Sequence, residues 1–184
     1  PYAEVISGFT SFYLGAKSQC PSVTMTVKYT NSWASFDLEK ECADALISDG
    51  CVLIGQHADT TGAPTACQAA GVPCVGYNVS MIETAPDYAL TSSANNWGVY
   101  YTHAVQCILD GTDLEVDWTA GFDQGAVDIT PLNDAAIVEG TAEKVEEVKA
   151  GLADGSIRVF DTSAFTVNGE TLTDDYRKEG LDIA

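Results

Sequence analysis

Residues 50–61 read Gly-Cys-Val-Leu-Ile-Gly-Gln-His-Ala-Asp-Thr-Thr, a short apolar run that breaks abruptly into groups able to hydrogen-bond. The apolar residues Cys51 to Ile54 are too few for a helix and are bounded by glycines, so they predict a strand buried on both faces. Gln56, His57, Asp59, Thr60 and Thr61 stand at its carboxyl end. An open parallel sheet binds its ligand in the crevice outside the carboxyl ends of its strands, where the flanking helices leave room. The stretch therefore predicts one wall of a small-molecule site.

The flanking sequence supplies the rest of such a sheet. Over residues 2–19, Val5, Phe9, Phe12, Tyr13 and Ala16 recur at helical spacing until Pro21 stops them. Residues 22–29 alternate Val23, Met25 and Val27 with Ser22, Thr24, Thr26 and Lys28, which predicts a strand ending at Thr30-Asn31-Ser32-Trp33. Ser35 as cap, Asp37 and Glu39 at the positive end, and a stripe of Leu38, Cys42, Ala45 and Leu46 predict a helix up to Asp49-Gly50. After Thr61, Pro64 opens a helix with Cys67 and Ala70 inward and Gly71 as its left-handed exit. The next strand, residues 74–77, ends at Asn78. Strands alternating with helices through short connections pair in parallel through right-handed crossovers. The expected fold is α/β, an open, mostly parallel sheet with helices on both faces and strand ends near Trp33, Asp59 and Asn78 along one edge.

Farther on, Trp97, Tyr100, Tyr101, Ala104 and Ile108 mark a long helix closed by Asp110-Gly111. Short strands are expected at 116–119 and 126–129. A helix over 141–152 turns Val145, Val148 and Leu152 inward, and strands at 157–160 and 165–167 could form a hairpin. No repeat, low-complexity tract or linker interrupts the chain, so residues 1–184 read as a single domain.

The charge balance narrows the partners. With 27 acidic residues against 8 basic and a net charge of −19, the chain repels nucleic acid and anionic membrane surfaces, and no nucleic acid polymer is expected as a partner. The acidity reads as a solvated surface. No run approaches the ~20 apolar residues of a membrane span, and the first residues have neither a basic start nor a signal-peptide core, as in a mature or trimmed chain. The six cysteines are too sparse to be the main scaffold. Cys67 and Cys74 stand on a helix and at the start of the next strand, and Cys42 with Cys51 repeats that relation, but the pairing stays open. Bridges would place the protein outside the cytoplasm; free thiols would be small buried hydrophobes.

Candidate chemistries fall away in turn. The only histidines are His57 and His103, and His57 with Asp59 and its threonines lacks a poised nucleophile. It reads as a loop or ligand-contacting histidine. His103 and Cys107 lie four apart on one helix face, but no Cys-x-x-Cys or second histidine completes a tetrahedral set, so core packing accounts for both and no metal is assigned. No phosphate loop or dinucleotide glycine pattern occurs. Trp33 either stacks on a flat ligand or covers the end of the sheet as core. Asp59, Thr60 and Asn78 offer carboxylate, hydroxyl and amide to a ligand, although Asp59, Thr60 or Thr61 could instead cap the following helix.

Taken in order, Pro1-Tyr2-Ala3-Glu4-Val5, Gly15-Ala16-Lys17, Asn31-Ser32-Trp33, Gly55-Gln56-His57-Ala58-Asp59-Thr60, Gly76-Tyr77-Asn78, Leu90-Thr91-Ser92, Trp97-Gly98-Val99-Tyr100-Tyr101 and Gly111-Thr112 resemble the basic membrane protein family, from Pro1 to about Phe160. These are extracytoplasmic, lipid-anchored substrate-binding proteins of ABC importers with the two-lobed type I periplasmic-binding-protein fold. The resemblance implies a purine base or nucleoside held between two lobes, permease subunits as partners, no cofactor and no chemistry. It places Trp33 against the base, Asp59 and Thr60 in the loop beside the ligand, and Asn78 at a strand end. Asn95 falls where some relatives place a lysine. Relatives with an acid at the position of Asn78 use it on ribose hydroxyls, and an amide weakens that bond.

The resemblance also implies that this chain is the second lobe of a longer protein. The helix from about Ala94 to Asp110 would then pack on a first lobe, and the lobe by itself would expose an apolar face that favours self-association. A ligand-sensing receptor of the same fold, or a hydrolase of a small polar substrate, are the alternative readings.

Overall fold

The computed structural model describes residues 2–161 and, as backbone, residues 166–167 and 170–171. The chain forms two compact units, one drawn from its two ends, up to Met25 and from Ile157 onward, and one spanning Thr26–Ser156. In the first, α1 (Ala3–Gln19) is the expected amphipathic helix, with Val5, Phe9, Phe12, Tyr13 and Ala16 all half-buried. It ends as the Cys20 N–H donates to the Ala16 carbonyl at 2.8 Å and the chain turns through Pro21.

The predicted strand at 22–29 does not form, and those residues belong to no ladder. Alternation specifies an extended backbone, but a strand also needs a neighbour to bond with. In the second unit, α2 (Phe36–Ser48) begins after Ser35 as expected. Its buried residues are Glu39 and Ala43 rather than Leu38, which is 42% exposed. The strand expected at 51–54 is shorter than that and is not buried on both faces. β1 is only Ile54–Gly55, and Val52 and Leu53 are exposed because β1 is the sheet edge, with β2 as its one partner among the described residues.

α3 (Gly62–Ala70) leaves through Gly71 in the left-handed conformation at φ 73°, burying Cys67 but exposing Ala70. β2 (Cys74–Tyr77) matches the expected strand. No strand was expected where β3 (Ala89–Asn95), the longest strand described, forms. The order is β1-β2-β3-β4, parallel between β1, β2 and β3 and antiparallel between β3 and β4 (Val127–Ile129). A mixed, mostly parallel open sheet with helices results. Between β3 and β4, α4 (Trp97–Asp110) ends at left-handed Gly111. Residues 116–119 are not a strand, and Val116 is fully exposed with no neighbour to pair with. α5 (Thr141–Asp154) keeps Val145, Val148 and Leu152 half-buried. Lys149 on α5 reaches Asp128 of β4 at 2.8 Å, and that bond holds the Asp128 carboxyl below its ordinary range.

Back in the end unit, β5 (Thr166–Val167) pairs antiparallel with β6 (Glu170–Thr171). The expected partner, 157–160, is not a strand, and Phe165 lies outside the described residues.

Two features fix the second unit. Its core, built on Ala43, Ile54, Ala63, Ala66, Cys67, Cys74, Met81, Ala85 and Ala89, consists mostly of small side chains, so α2 and α3 approach closely. A Cβ on Gly62 would run into the carbonyl oxygen of Phe36, with Glu39 Cβ and Lys40 N at 3.0 Å. The Glu39 side chain, 3% exposed, accepts from the Ser35 N–H at its own helix start (3.2 Å) and from the Thr60 N–H after β1 (3.2 Å). A buried carboxylate persists where backbone donors replace its lost water. Gly62→Ala is expected to destabilise the chain by about 1–3 kcal/mol, as overpacking does. Glu39→Ala, which strands two amides, is expected to cost about 2–3 kcal/mol. Urea unfolding followed by circular dichroism measures both, and wild-type midpoints in either variant would contradict the packing described.

Candidate functional site

Three parallel strands bring their carboxyl ends to one edge of the sheet, with Gly55 opposite Val75 and Tyr77 opposite Ser93. The loop after β1 is folded by its own side chains. The Gln56 amide donates to the carbonyls of Ala58 (2.9 Å) and Thr60 (3.0 Å), and Glu39 holds the Thr60 N–H. The Asp59 N–H donates to the carbonyl of Trp33 at 2.9 Å, which ties this loop to the one before α2. That earlier loop is a tight turn. Thr30 Oγ1 donates to the Ser32 carbonyl at 2.7 Å and accepts from the Ser32 N–H, and Asn31 adopts a left-handed φ of 53°. Short polar side chains that bond locally suit such turns.

The consequence is a row of rings. His57 stacks on Tyr77 with centroids 4.5 Å apart and planes 27° apart, and Trp33 lies 6.5 Å from His57. Trp33 is 45% exposed, so it does not cap the sheet as core. Asn95, at the end of β3, directs its amide to the Tyr77 hydroxyl at a long 3.5 Å. Asn78 follows β2 in the left-handed region, φ 68°, with its N–H on the Ser93 carbonyl (2.7 Å) and its side chain exposed. The Nδ1 atom of His57 is buried and has no hydrogen-bond partner among the described residues. An orphaned buried nitrogen is costly unless something bonds to it.

The structure thus brings Trp33, His57 and Asn95 together through Tyr77, a residue the sequence reading did not select. Tyr77 is the last residue of β2 and was expected only as part of that strand; its place opposite Ser93, at the strand's carboxyl end, brings its ring onto His57. Asp59 is exposed beside them. Thr60 is engaged locally, because its Oγ1 accepts from the Gly62 N–H at 3.1 Å. That is the capping role weighed against ligand contact, and it leaves the hydroxyl an unactivated group. None of these side chains is a nucleophile paired with a base. What the set can do is stack on a flat ring and exchange hydrogen bonds with its edge. A cleft of about 230 Å³ between β3, β4 and the start of α4 is lined by Trp97, Tyr100, Trp118 and Asn95; it shares only Asn95 with the ring row.

Cys107 is buried as expected, whereas His103 is not core. The His103 ring is one-third exposed, and its Nε2 lies 2.7 Å from Glu115 Oε2, a bond that holds the Glu115 carboxyl below its ordinary value. The six cysteines are free thiols. Cys67, buried against Cys74, has its thiol pKa pushed up by their hydrogen bond and by burial.

Comparison with known proteins follows the same outline. A purine-binding protein of Brucella abortus (strain 2308) is 33% identical over 160 residues, covering 87% of this chain and 45% of that protein. A Haloferax volcanii protein named as an ABC transporter glucose-binding protein is 32% identical over 126 residues, covering 68% of this chain and 32% of that protein. This chain therefore spans less than half the length of these curated relatives. Among solved structures, an ABC transporter system solute-binding protein from Conexibacter woesei superposes with a TM-score of 0.67 at 20% identity, over 84% of this chain and 53% of that one, a likeness of fold. Residues 1–157 match the family described as ABC transporter substrate-binding protein, PnrA-like (Bmp), and the chain belongs to that family.

Proposed function

We propose that this chain is the second lobe of a two-lobed solute-binding protein that carries a purine base or nucleoside to the permease subunits of an ABC importer. The family is a substrate-binding component of transporters and its members work outside the cytoplasm; lipid anchoring of the whole protein belongs to the proposal. The observation that carries the ligand reading is the ring row Trp33, His57 and Tyr77 at the carboxyl ends of parallel strands. A planar base stacks on exposed Trp33, the His57 imidazole supplies a hydrogen bond, and the Asp59 carboxylate accepts from a ring N–H or a sugar hydroxyl. The amides of Asn78 and Asn95 can each donate and accept, which suits the edge of a purine; without a carboxylate at Asn78, the base is favoured over its ribose. The similarity to a purine-binding protein supports this choice. The ligand is bound and released unchanged, with no cofactor.

The proposed second lobe also accounts for α4. Trp97, Tyr101, Val105, Ile108 and Leu109 are each more than half exposed, an apolar face that another lobe would cover.

Two measurements test this reading. In the full-length protein, calorimetric titration with adenine, guanine, hypoxanthine, their nucleosides and glucose is expected to give saturable binding to a purine compound without turnover. Trp33→Ala and His57→Ala should each weaken it about tenfold, the ~1.4 kcal/mol of one lost stacking or hydrogen-bonding partner. Binding of glucose alone, or purine binding indifferent to both substitutions, overturns the assignment. For the lobe alone, sedimentation of the 184-residue chain is expected to show mass rising with concentration, reversed by Ile108→Lys with Leu109→Glu. A monomer at every concentration removes the covered-face reading.

A further inference from the structure

The segment after α4 returns over the helix and completes a donor set that the ring row does not use. His103 and Cys107 are one helical turn apart on the same face, with Cys107 Sγ 3.7 Å from His103 Nε2. Left-handed Gly111 ends the helix, and the Thr112 N–H donates to the Cys107 carbonyl at 2.9 Å, so the chain reverses beside the sulfur. Glu115 then arrives with Oε2 2.7 Å from the same Nε2. The imidazole nitrogen, the sulfur and the carboxylate oxygen all lie within 4.8 Å of one another. These are the three donor types that zinc accepts from proteins, at roughly 2.0–2.3 Å each. Tetrahedral geometry at such lengths separates donors by roughly 3.3–3.6 Å, so side-chain adjustments of about an ångström bring all three into place.

We propose that His103, Cys107 and Glu115 form a site for a zinc-class divalent cation, with solvent in the fourth position. The ion replaces the hydrogen bond between His103 and Glu115 and takes Cys107 as a thiolate. The thiol proton and any imidazolium proton pass to solvent. A histidine–glutamate ion pair by itself would explain two of the residues and leave the sulfur beside them unused. Trp118 stacks on His103, centroids 6.2 Å apart and planes 24° apart, which restrains the ring as the outer groups around a metal do. Cys107 is 8% exposed whereas Glu115 is half exposed, so the sulfur is sheltered and the ion enters from the carboxylate side. Asp113 and Asp117 flank Glu115 in sequence and draw cations toward it.

The site would staple residues 112–118 to α4. Trp118, Thr119 and Ala120 also wall the cleft that reaches Asn95, so the ion would fix that wall as well. The three donors, not the ligand of the ring row, carry this proposal, and it stands if the purine reading fails.

The test uses the whole chain, stripped with a chelator and titrated with Zn²⁺ by calorimetry and with Co²⁺ by absorption. One ion per chain is expected, with a thiolate-to-cobalt charge-transfer band. His103→Gln and Glu115→Gln should each lower the affinity by at least about tenfold, and Cys107→Ser should abolish the band. Because Cys107 is buried, the two more exposed variants keep the result decisive if Cys107→Ser folds poorly. No stoichiometric ion in the wild type overturns the site. So does binding unchanged in both His103→Gln and Glu115→Gln, which would move the ion to the thiols of Cys20, Cys42 or Cys51.

Discussion

The buried carboxylate of Glu39 is the point on which the candidate binding edge depends. It has no cationic partner in its hydrogen bonds; its two oxygens take backbone amides from the start of α2 and from the loop after β1. A charge removed from water must be matched by donors, and here the match joins two segments 21 residues apart. Once Thr60 is held, the Gln56 amide can close the loop on its own carbonyls, and the Asp59 N–H can meet Trp33. The ring row then follows from backbone geometry. Close contact of α2 with α3 at Gly62 acts in the same direction, because it leaves the loop little room to move.

The electrostatics of the edge agree with the shape of the row. Trp33, His57, Asp59, Thr60, Asn78 and Asn95 include no lysine or arginine, and the chain as a whole carries a net charge of −19. A phosphate-bearing nucleotide would meet no permanent cation among these residues, whereas an uncharged ring would need none. At the proposed site, stacking and hydrogen bonding would supply the affinity, from groups already in position.

Elements with strong periodicity or clear end signals were legible in the sequence. α1, α4 and α5 carry apolar stripes, Gly71 and Gly111 are left-handed exits, and residues 74–77 form the strand their composition predicts. β3 was not legible, because Ala-Leu-Thr-Ser-Ser-Ala-Asn has neither alternation nor β-branched enrichment. Two of its polar groups bond to a partner far along the chain: Thr91 Oγ1 donates to the Thr130 carbonyl, and the Ser92 N–H donates to Thr130 Oγ1. Buried Asn133 donates to the carbonyls of Pro86 and Ala89 and so anchors the strand's start. Such pairings are invisible to local pattern. The false strands at 22–29, 116–119 and 157–160 show the converse, since extended propensity without a neighbour makes no ladder. At the candidate site, Trp33 and His57 stood out by residue type and place and Asn95 only through the family resemblance, but Tyr77 needed the register and Glu115 needed the reversal after α4.

Asn31 and Asn78 are the two residues other than glycine with positive φ among those described, and they stand at the two loops that frame the ring row. Asparagine tolerates this conformation better than other side chains, at some cost relative to glycine. The two frames of the binding edge therefore share one backbone requirement that is separable from side-chain chemistry. Glycine at either position would keep the turn and remove only the amide, whereas alanine would remove the amide and strain the turn together. If Asn78 reads a ring edge as proposed, preference there can drift between asparagine and glycine without disturbing the sheet, while the larger side chains that would alter it most are the ones the backbone resists.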